Sequence, residues 1–222
     1  DRVIATAGVR NDSMDLSSKE YIGGEQTEKD NFSETSYRAA LTYIVNDEVS
    51  TYVSMVESVS PPQVGVTPQT GKQYEVGLKY QPPGTEMLFT AAVYDLTRKN
   101  IVLSDTLGVS RPLGEANVRG VELEAVGNVN ENLKLTAAYT YANTKMTKVS
   151  DPLDKNRPLP LTPEHQASIW ADYTWHKGVL DGFGVGFGAR YIGETDNIAI
   201  GSMAYVPDAS YGHTDAYTVY DA

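Results

Sequence analysis

Connections along this chain of 222 residues alternate between short and long from one end to the other, and that rhythm restricts the folds open to it. β-Strand signals run over Val3 to Arg10, Thr35 to Val45, Val49 to Glu57, Gln73 to Gln81, Glu86 to Thr97, Asn117 to Asn128, Leu133 to Met146, Gln166 to His176, Phe183 to Gly193 and Thr214 to Asp221. Tight connections are Asn46-Asp47-Glu48, Gln81-Pro82-Pro83-Gly84, Asn130-Glu131-Asn132 and Lys177-Gly178; long ones are Asn11 to Glu34, Ser58 to Lys72, Arg98 to Ala116, Thr147 to His165 and Glu194 to His213. In an up-and-down meander the long connections all fall at one end. A soluble sandwich has no reason for that asymmetry, whereas outer-membrane barrels have short periplasmic turns and long extracellular loops.

Side-chain alternation agrees. Tyr74, Val76, Leu78 and Tyr80 share one face of a strand, opposite Gln73, Glu75, Gly77, Lys79 and Gln81. Leu133, Leu135, Ala137, Tyr139 and Tyr141 repeat the pattern, as do Phe183, Val185, Phe187, Ala189 and Tyr191 against Gly182, Gly184, Gly186, Gly188 and Arg190. A half-buried soluble sheet has the same period. Most segments, however, reach the about 9–11 residues that a spanning strand needs. Aromatics also gather near strand ends, with Tyr43, Tyr52, Tyr80, Tyr173 and Trp175 by the short turns and Tyr74, Tyr141 and Tyr191 by the long loops, as two interfacial girdles would require. The fold class is therefore all-β, an antiparallel up-and-down meander forming part of a transmembrane β-barrel.

Composition excludes several alternatives. No apolar run approaches the 18 or more residues of a membrane helix. A formal charge of -11 leaves no basic stripe for phosphates, so nucleic acid is not a partner. The chain has no cysteine and hence no disulfide or Cys-zinc site. Asp1-Arg2-Val3 carries no signal-peptide pattern, so mature sequence or an excised part is expected.

Nothing reads as a catalytic constellation. His165, His176 and His213 are too scattered for a zinc motif, and the Gly182 to Gly188 alternation lies within a strand rather than before a helix, so it is no phosphate loop. A glycine face of this kind lets another backbone or a plug approach closely. Glu75 and Glu122 both fall on polar strand faces, Glu122 and Glu124 standing opposite Val121, Leu123 and Ala125. Inside a barrel such carboxylates need water or cations, so either the lumen is wet or something basic fills it. One strand separates theirs, so the two would lie about 10 Å apart at equal heights.

Several segments carry a family resemblance. Gly71-Lys72-Gln73-Tyr74-Glu75-Val76-Gly77-Leu78-Lys79-Tyr80, Ala92-Val93-Tyr94-Asp95-Leu96-Thr97-Arg98-Lys99-Asn100 and Arg119-Gly120-Val121-Glu122-Leu123-Glu124 resemble successive strands of TonB-dependent ferric-siderophore receptors. Ala138-Tyr139-Thr140-Tyr141 and Pro163-Glu164-His165-Gln166-Ala167-Ser168-Ile169-Trp170-Ala171-Asp172-Tyr173 continue it in order, and the likeness is greatest to the ferrichrome and ferrioxamine group, which takes up hydroxamate siderophores. The resemblance implies a 22-stranded barrel closed by an N-terminal plug domain and opened through TonB. About ten strands are read here, with no plug or TonB box, so residues 1–222 are expected to be a barrel segment from the C-terminal half. It further implies that Glu75 and Glu122 pair with two plug arginines. Ligand contacts within this chain would come from Tyr205, Tyr211 and His213, for which solvated loop residues is the plainer reading.

The leading expectation is thus a non-enzymatic transporter segment with a ferric siderophore as cargo and no cofactor or protein metal ligand. Its partners would be TonB, engaged through the missing plug, with outer-membrane lipid and lipopolysaccharide around the barrel. One alternative is a complete ten-stranded barrel such as a surface protease, with Asp208, His213 and Asp215 on its rim. Another is a soluble adhesion module, which would expose large apolar patches to water.

Overall fold

The computed structural model describes residues 2–20, 26–61, 64–104, 110–149, 152, 155–198, 211–214 and 217–221. Its strands are β1 (Val3–Glu20), β2 (Gln26–Ile44), β3 (Val49–Ser60), β4 (Gln69–Tyr80), β5 (Glu86–Ser104), β6 (Ser110–Asn128), β7 (Leu133–Lys148), β8 (His165–Thr174), β9 (Gly184–Ile192), β10 (Thr195–Ile198), β11 (Tyr211–Thr214) and β12 (Tyr217–Asp221). Ten of them form one sheet in the order β1-β2-β3-β4-β5-β6-β7-β8-β9-β12, every pair antiparallel. Because the strands of this sheet follow one another along the chain, with only β10 and β11 set aside between β9 and β12, the short turns lie at one end and the long connections at the other.

Small polar residues build the short turns. The side-chain Oδ1 of Asn46 accepts the backbone N–H groups of Glu48 and Val49, and that of Asn130 does the same for Asn132 and Leu133. The β8–β9 connection is longer than the expected Lys177-Gly178 turn. It runs from Trp175 to Phe183 through a 3-10 turn at Gly178–Leu180, with the Trp175 N–H donating to the Phe183 carbonyl at 2.9 Å.

Strand extents depart from expectation at the long-loop end. Asn11 to Glu34, expected as a loop, is largely hairpin: β1 and β2 stay in register out to Glu20↔Gln26. Its polar side chains support the pairing, as Asn11 Nδ2 donates to Thr35 Oγ1 at 2.9 Å and Asn31 Nδ2 to Asp15 Oδ1 at 2.5 Å. Likewise β5 and β6 extend to Ser104↔Ser110 across a bulge between Arg98 and Ile101. The last long connection contains a separate hairpin of β10 and β11.

One face of the sheet is apolar and exposed, presenting Val53, Tyr74, Val76, Val93, Leu123, Ile169 and Phe187. A soluble fold would bury these side chains; here they match a lipid-facing surface. Buried residues are few among those described, and one small cluster (Ile101, Ala116, Leu159) lies toward the long-loop end. Among the described residues β1 pairs only with β2 and β12 only with β9, so the sheet is open with two free edges. No helix of the described residues is long and apolar enough to cross a membrane.

Candidate functional site

Strand parity places Glu75, Glu122 and Glu124 on the polar face. Glu75 stands across from Ser54 on β3 and Tyr94 on β5, while Glu122 stands across from Ala92 on β5, which itself faces Gly77. Glu122 is therefore level with Gly77, two residues nearer the short turns than Glu75. The two carboxylates are staggered rather than at equal heights, and two strand spacings with two residues of rise set their Cα atoms about 12 Å apart.

Their surroundings differ. Both oxygens of Glu75 are engaged: Tyr52 Oη donates to Oε1 at 2.5 Å and Gln73 Nε2 to Oε2 at 2.8 Å. Glu122 has neither hydrogen bond nor ion pair among the described residues. Two tyrosines frame the pair. Tyr52 lies over its cross-strand partner Gly77, where a Cβ would sit 2.4 Å from the ring, and Tyr94 lies over its partner Gly120, where a Cβ would sit 2.5 Å from the phenol. The missing side chains let the rings lie flat against the sheet. Lys79 Nζ stands 5.6 Å from the centre of the Tyr52 ring.

Two expectations change here. Tyr52, expected in an aromatic girdle, belongs to the polar face, since it pairs with Gly77 and bonds Glu75. The glycine face of β9 is not left open to a plug: Trp170 of β8 covers it, with a Cβ at Gly188 falling 2.3 Å from the indole and one at Gly186 falling 2.7 Å from it. Its Nε1 donates to Asp172 Oδ2 at 2.8 Å.

Toward the long-loop end, the β7–β8 connection turns back along β7. Met146 and Asn156–Arg157 exchange backbone hydrogen bonds at 2.9 Å, and the Leu159 N–H donates to Thr144 Oγ1 at 2.8 Å. Thr144 and Met146 share the polar face with Glu122, so this segment folds inward over that face.

Tyr205, Asp208 and Asp215 lie outside the described residues. Tyr211 and His213 sit on β11, across from Ile198 and Asp196 of β10, in a two-stranded sheet separate from the one that carries the two glutamates. His165 is on the apolar face, where Tyr139 Oη lies 2.9 Å from its Nδ1 and the Tyr141 ring stands 5.1 Å away. Among the described residues no group of three acidic, His or Cys side chains could hold a metal ion. Sequence reasoning overlooked Tyr52, Tyr94, Thr144 and Leu159 as members of this region. Parity alone would have found the tyrosines, since each stands opposite a glycine of the polar set.

Comparison with known proteins gives a consistent answer. A family model described as "TonB dependent receptor-like, beta-barrel" matches residues 1–222. The ferrichrome outer membrane transporter/phage receptor of Escherichia coli strain K12 is 35% identical over 230 residues, taking in 100% of this chain and 29% of that protein. The ferrioxamine receptor of Yersinia enterocolitica is 36% identical over 196 residues, covering 84% of this chain and 25% of that protein. The chain thus spans 25–29% of the length of these two relatives. Among solved structures, the siderophore receptor PiuA from Acinetobacter baumannii superimposes with a TM-score of 0.73 at 21% identity, over 99% of this chain and 34% of that one. This chain belongs to the β-barrel family of TonB-dependent receptors, proteins of the outer membrane and not enzymes.

Proposed function

We propose that residues 1–222 form a segment of the barrel wall of an outer-membrane receptor that takes up ferric hydroxamate siderophores and is energised through TonB. The observation that carries the ligand class is the match to two relatives, each above 30% identical, named for ferrichrome and ferrioxamine. The iron arrives as part of the cargo, so the protein supplies no ligand to it. In the intact receptor the open sheet continues into a 22-stranded barrel around a plug domain, and its polar face becomes the lumen.

Glu75 and Glu122 then pair with two plug arginines. Two features support this assignment: both carboxylates project from the polar face, and Glu122 has no partner among the described residues. A guanidinium satisfies such a carboxylate with two parallel hydrogen bonds. Tyr205, Tyr211 and His213, on the long connection after β9, are the proposed contacts to the siderophore from this segment.

Uptake of radiolabelled iron tests the reading. Cells lacking other hydroxamate receptors and expressing the full-length receptor should accumulate iron from ferrichrome or ferrioxamine B, and lose that uptake when TonB is deleted. Accumulation from a ferric catecholate alone would overturn the ligand class, and uptake indifferent to TonB would overturn the energy coupling.

A further inference from the structure

Along β4 the polar face presents Gln73, Glu75, Gly77 and Lys79 at every second position, and Tyr52 of β3 lies across them. Gly77 is the seat: a Cβ there would fall 2.4 Å from Cε1 and Cζ of Tyr52 and 2.5 Å from its Oη, so any larger residue would displace the ring. From that seat the phenol reaches Glu75 Oε1 at 2.5 Å, while Gln73 Nε2 holds Oε2 at 2.8 Å. The ammonium of Lys79, 5.6 Å from the ring centre, lies over the same tyrosine.

We infer that Tyr52, seated on Gly77, is a positioning residue for Glu75, holding its carboxylate in one orientation before a cationic partner arrives. The inference rests on the assignment of Glu75 as a plug contact. Both donors are neutral and bring no counter-charge, and each oxygen of Glu75 retains a lone-pair direction for a guanidinium. A carboxylate fixed in advance loses less side-chain freedom on pairing than one that must be ordered by its partner. Glu122 makes the contrast. Tyr94 rests on Gly120 in the same manner, yet among the described residues it makes no hydrogen bond to Glu122. A seated ring is therefore not sufficient; the phenol must also meet the carboxylate, and it does so only at Glu75.

The test is a set of double-variant cycles in the full-length receptor, read by hydrogen exchange of plug amides, with heat-resistant mobility on gels reporting the barrel. Tyr52→Phe removes one oxygen and keeps the ring on its seat. It should raise plug exchange about tenfold, the loss of one hydrogen bond to a charged group. The same change should add nothing in a Glu75→Gln background and should multiply with Glu122→Gln, a dependence that general loosening of the wall would not produce. Gly77→Ala should reproduce Tyr52→Phe by unseating the ring; if it disturbs barrel mobility, Tyr52→Phe alone decides. Wild-type exchange in Tyr52→Phe while Glu75→Gln loosens the plug would overturn the positioning role, as would equal effects of Tyr52→Phe with and without Glu75. A wild-type plug in both glutamate variants is a separate outcome: it removes the plug assignment, and the positioning role falls with it.

Discussion

The hydroxyl of Thr144 accepts the backbone N–H of Leu159 at 2.8 Å, and beyond that bond the Leu159 side chain is buried with Ile101 and Ala116. A connection that leaves β7 toward solvent is thereby brought back over the polar face. Leu159→Ala should cost about 2–3 kcal/mol, the lower part of the range for truncating a buried leucine. Thr144→Val should cost about 1–2 kcal/mol by leaving a buried N–H unpaired. In both variants hydrogen exchange should accelerate over residues 155–164 while β4 to β7 stay protected. Unchanged exchange in that segment would show that it is held by other means.

The proposed pairing of Glu75 and Glu122 with plug arginines is open to a direct test. Removing one member of a buried charged pair typically costs about 3–5 kcal/mol because its partner is left uncompensated, and here that cost would fall on plug seating. In the full-length receptor, Glu75→Gln combined with Glu122→Gln should raise plug proteolysis and leave heat-resistant barrel mobility unchanged. A normal plug on a lost barrel would make these glutamates structural members of the sheet.

Much of this arrangement is legible in the sequence, and the limits follow from what lipid demands of a strand. Where the sheet meets an apolar surround, every second residue must be apolar, so Tyr74, Val76 and Leu78 mark both strand and face. Beyond that band no such demand applies. Asn11, Asp15 and Asn31 resemble loop residues, yet their side chains bond across the β1–β2 hairpin and help hold it in register. The inward fold at Leu159 was equally hidden, because its anchors come from β5, β6 and β7 and no local pattern links them. Nearness to a short turn does not reveal that Tyr52 faces Gly77 and Glu75, because facing depends on parity and not on distance from a strand end.

The free edges of β1 and β12 lead to a prediction for the isolated chain. Unpaired backbone groups along an edge strand are a template for association. Residues 1–222 alone, without detergent, should dimerise or aggregate, and sedimentation should show species larger than the monomer. A dilute and stable monomer would contradict the segment reading.

At the long-loop end of β6 and β7, Lys148 Nζ donates to Glu115 Oε2 at 2.9 Å and Thr147 Oγ1 donates to Glu115 Oε1 at 3.1 Å. The Lys148 hydrogen bond, aided by that from Thr147 and opposed by desolvation, holds the Glu115 carboxyl below its ordinary value of 4.5. A depressed folded-state value means that the pair's contribution is present above the ordinary glutamate value and is lost as pH falls through the folded one. Carboxyl NMR of the intact receptor should find Glu115 titrating below the ordinary range, and Lys148→Met should move it upward. Titration at or above the ordinary value in the unmodified protein would refute the pairing.

The β1–β2 hairpin contains strands of 18 and 19 residues. About ten residues suffice to cross a bilayer, so the excess of about eight to nine residues extends roughly 27–31 Å along the hairpin at about 3.4 Å per residue. The Asp30 carboxylate accepts the backbone N–H of Gly65, bracing this mast against the neighbouring connection. Residues 11–34 hold seven carboxylates against two lysines. Carboxylates raised this far from the bilayer lie beyond the roughly 8 Å over which salt screens a charge on its surface, so their field belongs to the hairpin and not to the lipid headgroups.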